Sequence, residues 1–107
     1  MSFSKIPTDM IAGYSSNDTN LTIPIAAIPE LSTAEANTTT GDNREIVHAL
    51  CEKFYQWYNG LAADKPTKLT ISRTSLTNDV TGEVSITYTV NCKCAVAAGA
   101  LNVESET

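Results

Sequence analysis

The stretch Asp42–Ala63, DNREIVHALCEKFYQWYNGLAA, decides the fold class. At about 100° per residue, Ile46, Val47, Leu50, Phe54, Trp57, Tyr58 and Leu61 share an arc of roughly 120°, while Arg44, Glu52, Lys53, Gln56 and Asn59 lie outside it. The spacing predicts an amphipathic helix with one heavy apolar face. Asp42 is its expected N-cap, with Glu45 three residues on, and both carboxylates suit the positive end of the helix dipole. Asn59-Gly60 is a natural stop, although Leu61 returns to the apolar arc and carries the expected end to about Ala63. A face bearing Phe54, Trp57 and Tyr58 leaves water only if a second layer covers it.

That layer is expected downstream, where the period changes to 2 after Pro66. Thr67, Leu69, Ile71 and Arg73 alternate with Lys68, Thr70, Ser72 and Thr74. Beyond the turn-like Thr77–Gly82, the residues Val84, Ile86, Tyr88, Val90, Cys92 and Cys94 alternate with Ser85, Thr87, Thr89, Asn91 and Lys93. The pattern predicts an antiparallel hairpin over 67–76 and 83–94, with one apolar face and one Thr-rich, water-tolerant face. The expected core is Ile46, Val47, Leu50, Phe54, Trp57, Leu61, Leu69, Ile71, Val84, Ile86, Tyr88 and Val90. The fold class is therefore α+β, one main helix packed on a small antiparallel sheet.

Upstream, LTIPIAAIPEL over residues 21–31 alternates apolar residues at 21, 23 and 25, but Pro24 cannot donate to a ladder, so an edge strand over 21–28 is the most it allows. Ser32-Thr33-Ala34-Glu35 has the form of a capping box and predicts a short helical turn over about 33–37. Residues 1–20 show no period. They read as an extended or disordered arm, with Phe3, Ile6, Met10, Ile11 and Tyr14 as spaced apolar anchors for a partner. The body is then a single domain over 21–98, and 99–107 an acidic flexible tail.

Composition narrows the function. The chain has 107 residues and a formal net charge of −5, from twelve acidic against seven basic residues. No basic stripe is available to neutralise phosphates, which excludes sequence-independent nucleic-acid binding. No apolar run approaches the ~20 residues of a membrane span, and MSFSKIPTDM lacks a secretory h-region. Three cysteines argue against a disulfide framework. The motifs Asn17-Asp18-Thr19, Asn20-Leu21-Thr22 and Asn37-Thr38-Thr39 match the glycosylation pattern and read as chance matches in a Thr/Asn-rich chain. A folded body of this size is often helped by association, so a homo-oligomer is expected.

Candidate chemistry is sparse. His48, Cys51, Cys92 and Cys94 have the ligand types of a structural zinc, but His48 falls toward the polar side of the helix, and Cys92 and Cys94 share a strand face as small core residues would. His48 and Cys51 lack the third, orienting group of a nucleophilic site. Phe54, Trp57 and Tyr58 at helical spacing read as core before they read as a stacking platform. No catalytic, cofactor or metal residue is assigned, and the protein is expected not to be an enzyme.

A series of short motifs in order carries a family likeness: Ile28-Pro29-Glu30-Leu31, Ala34-Glu35-Ala36, Thr40-Gly41-Asp42 with Arg44, Ile46 and Ala49-Leu50, then Ala63-Asp64-Lys65-Pro66-Thr67-Lys68 and Thr70-Ile71 before a Thr-Gly turn and a Thr-rich strand. Over residues 23–90 this resembles a family of small, largely uncharacterised proteins of tailed cyanobacterial phages. The likeness implies a virion structural protein, made in the host cytoplasm, and within that class a capsid decoration or cement protein bound to the major capsid protein. A tail, baseplate or connector component, and a phage-encoded regulator of a host protein, are the other readings.

Overall fold

The computed structural model describes residues 5–94, 103, 104 and 106. Its class is α+β: one main helix and two small antiparallel sheets, each a two-stranded hairpin. The chain divides into two compact units, one ending at Trp57 and the other beginning at Tyr58. The division falls inside the last turn of the main helix.

The first unit opens with a helical turn, α1 (Pro7–Met10), whose Pro7 at the first position needs no amide partner. Asp9 Oδ2 accepts the Ile6 amide at 3.2 Å. Ile11 follows and is fully buried. Gly13 turns the chain at φ 79, where an added Cβ would lie 2.8 Å from the Pro24 ring. β1 (Ser15–Ser16) then pairs antiparallel with β2 (Leu21–Thr22). The described part of the segment expected as an arm is thus folded into the unit, and its most apolar anchor is core. β2 stops after two residues because Pro24 has no amide to donate, and a 3-10 turn over Ile25–Ala27 replaces the longer edge strand expected from the alternation.

Ser32 and Glu35 make the expected reciprocal cap, with Glu35 N donating to Ser32 Oγ at 3.1 Å and Ser32 N to Glu35 Oε1 at 2.9 Å. They close a single turn, not a longer helix. Two of the N-x-T motifs have a local physical use: Asn17 Oδ1 accepts the amides of Thr19 and Asn20, and Asn37 Oδ1 those of Thr39 and Thr40. These are Asx turns, in which the side chain stands in for a turn carbonyl.

The main helix α2 runs Asn43–Gly60. Asp42 caps it through Arg44 N at 2.9 Å and holds the Arg44 guanidinium in a fork, Nε to Oδ1 at 3.1 Å and Nη2 to Oδ2 at 2.9 Å. These bonds lower the Asp42 carboxyl to about 2, so it is still ionised well below the usual carboxylate range. Burial on α2 differs from the arc. Ala49 and Glu52 are its buried residues, and Val47 is 61% exposed. Glu52 is tolerated inside because Gln56 Nε2 donates to its Oε2 at 2.5 Å. The left-handed residue that ends the helix is Ala62, at φ 51, not the Gly60 that the sequence offers.

The second unit carries β3 (Leu69–Asn78) and β4 (Glu83–Cys92), antiparallel from Leu69↔Cys92 to Asn78↔Glu83. The hairpin lies where the alternation predicts it, within about two residues at each end. Of the hairpin residues expected in the core, Ile71 is buried and Leu69 and Tyr88 half-buried. Val84, Ile86 and Val90 are 56%, 43% and 55% exposed, which corrects their assignment to the core. Period-2 alternation identifies which side chains share a face, but it does not supply a layer to cover that face.

Candidate functional site

The feature that invites a function is the β3–β4 ribbon. Each strand has 10 residues, so the ribbon reaches roughly 33 Å. Register puts Leu69, Ile71, Arg73, Ser75 and Thr77 on one face with Val84, Ile86, Tyr88, Val90 and Cys92, and Thr70, Ser72, Thr74, Leu76 and Asn78 on the other with Glu83, Ser85, Thr87, Thr89 and Asn91. The first face is buried at Ile71, half-buried at Leu69 and Tyr88 and open at Val84, Ile86 and Val90, and Leu76 on the second face is 74% exposed. Among the described residues no further strand pairs with either ribbon edge.

Both ends of the ribbon are fixed locally. At the tip, Asn78 Oδ1 accepts the amides of Val80 and Thr81, and Gly82 at φ 75 brings its amide to Asn78 O at 2.8 Å. At the root, the Glu106 carboxylate accepts Thr67 N at 2.7 Å, Thr67 Oγ1 at 3.0 Å and Lys68 N at 2.9 Å. Glu104 N donates to Lys93 O, Lys93 N to Lys68 O, and Cys94 forms a bridge with Val103. The described residues of the expected flexible tail are therefore a clasp on the first residues of the hairpin.

The amide bonds from Thr67 and Lys68 hold the Glu106 carboxyl below its usual range. A depressed carboxyl contributes stability that is present above its unfolded value and lost as pH falls through its folded one. Glu106→Ala is expected to speed amide exchange at Thr67 and Lys68 at neutral pH, with the centre of the ribbon unaffected. Acidification of the wild type through the lowered Glu106 value should reproduce this opening. Hydrogen exchange read by NMR checks both.

The residues singled out as partner anchors separate by burial. Ile6 is 58% exposed and Ile11 fully buried. Met10 and Tyr14 are half-buried. Phe3 lies outside the described residues. Ile11 cannot plug a partner while it serves the core. His48 is exposed and Cys51 half-buried on α2, whereas Cys92 and Cys94 belong to the other unit. All three cysteines are free, and among the described residues no group of three or more His, Cys, Asp or Glu is placed to hold a metal.

Sequence reasoning missed a second feature, an open cavity of about 270 Å³ lined by Ile23, Ile25, Ile28 and Leu31 on one side and Ile46 and Leu50 of α2 on the other. The dense aliphatic run at 21–31 was its only signal. Among the described residues no helix is long and apolar enough to cross a membrane. No family model matches the chain, and no curated protein or solved structure matches it either, so the ribbon's own geometry is the guide to what it does.

Proposed function

We propose that this protein is a non-enzymatic virion structural protein of a tailed phage, a capsid decoration or cement protein that bridges subunits of the major capsid protein. The observation that carries the reading is the exposed apolar row Val84, Ile86 and Val90 on a ribbon whose two edges pair with no further strand among the described residues. Apolar rows of this kind mark surfaces that a partner covers, and an extended strand edge adds backbone hydrogen bonds to the same contact. A cement protein works by such buried area, and a stable interface removes about 800 Å² per partner. The phage setting comes from the family likeness over residues 23–90.

Quantitative mass spectrometry of purified virions, with the major capsid protein as internal standard, tests the assignment. A ratio near one copy per capsid subunit is expected. A few copies per virion would move the protein to the tail, baseplate or connector. Absence from virions would overturn the structural role in favour of a regulator directed at a host protein.

A further inference from the structure

The charge pattern along β4 identifies an occupant for its open edge. From Glu83 to Lys93, the residue that follows the strand, the chain reads EVSITYTVNCK, with one acidic residue at the start, one basic residue at the end and no charge between. Edge strands are commonly protected from pairing by a central Lys, a Pro or a bulge, and β4 has neither Lys nor Pro between those ends. β3 does carry a central charge, Arg73, which a two-fold pairing about that residue would set against itself.

Taking the docking role of the ribbon as given, we propose that β4 pairs antiparallel with β4 of a second copy about a two-fold axis at Tyr88. This register places Glu83 opposite Lys93 of the second copy at both ends of the contact. It also sets Val84 against Cys92, Ile86 against Val90 and Tyr88 against Tyr88, all on one face, while Thr87 meets Thr89 and Ser85 meets Asn91 on the other. A one-residue slip would put each apolar residue across from a polar one.

Backbone geometry agrees with the same register. Lys93 N donates to Lys68 O, so the amide of Lys93 faces β3. In an antiparallel ladder the groups of successive residues point alternately to the two sides, so those of Val84, Ile86, Tyr88, Val90 and Cys92 face the open edge. Those are the residues that this axis pairs with one another as hydrogen-bonded pairs. The product is a four-stranded sheet, beyond the two strands that are marginal alone, and its apolar face is twice the size of the one a single chain offers. The net charge of −5 per chain opposes association, but at physiological salt that repulsion is screened over about 8 Å.

Sedimentation equilibrium of the full chain is expected to show a dimer. Lys93→Glu or Glu83→Lys alone should weaken it by about tenfold, because each change creates two like-charge contacts in a symmetric pair, and the double exchange should restore it. Val84→Cys provides an independent check. Within one chain residues 84 and 92 are too far apart along the strand to be joined, so an 84–92 disulfide found by peptide mapping under mild oxidation must link two copies at this register. A monomer at about 100 μM, or a dimer indifferent to both charge reversals and lacking that cross-link, would overturn the proposal. A monomer that is nonetheless present in virions at one copy per capsid subunit would overturn self-pairing alone and leave the docking function standing.

Discussion

Gly41→Ala is expected to lower the midpoint of thermal unfolding by roughly 10–20 °C, from a loss of about 2–3 kcal/mol. A Cβ at this position would lie 2.6 Å from the backbone carbonyl oxygen of Asn37 and closer still to that of Glu35. Neither oxygen can swing away as a side chain could. Gly41 N donates to Asn37 O at 3.1 Å, and Asp42 N donates to Glu35 O at 2.9 Å. Relief of the clash would therefore break the bonds that hold Asp42 where it caps α2. Gly60 offers the opposite case, since it is helical and has nothing within 4 Å of its would-be Cβ. Gly60→Ala should raise the midpoint by a few degrees through a less free unfolded chain. Circular dichroism melts of the two variants check both signs, and a Gly41→Ala melt indistinguishable from wild type would mean that the 35–42 turn does not fix the start of α2.

The start of α2 was legible because capping is local chemistry: Asp42, Ser32 and Glu35 each act on amides within three residues. The hairpin was legible for the same reason, since alternation and a Gly-containing turn specify a strand pair without reference to the rest of the chain. Burial was legible only in part: Ile71 is buried as its alternation suggests, but other positions are not. Val47 and Glu52 exchange the roles that the helical arc assigns them, and Val84, Ile86 and Val90 carry a core-like pattern on an open face. The arc fixes relative directions around an axis, whereas burial depends on which other elements arrive, and that is decided by contacts distant in sequence. The ribbon was thus visible as a hairpin and invisible as a surface, because a strand with a covered apolar face and one with an uncovered face have the same alternation.

Ile11→Ala should be among the most destabilising single changes in the first unit, by about 3–4 kcal/mol, because the side chain is fully buried and its removal adds a cavity to the lost transfer energy. Ile6→Ala, at a residue 58% exposed, should stay within about 0.5 kcal/mol of wild type. Urea unfolding followed by Trp57 fluorescence separates them, since Trp57 is the single tryptophan of the chain and belongs to the same unit as Ile11. The expected midpoint shift for Ile11→Ala is about 2 M or more, and for Ile6→Ala close to zero. Equal small shifts would mean that the segment around Ile11 is an arm after all, free to serve a partner. A large shift confined to Ile11 has a consequence for assembly. The N-terminal segment cannot then be withdrawn to bridge a neighbouring subunit without opening the core of its own unit, so among the described anchors docking there would fall to the exposed Ile6 and to the half-buried Met10 and Tyr14. Bridging by a folded chain would then depend on the β3–β4 ribbon, where Val84, Ile86 and Val90 are already at the surface.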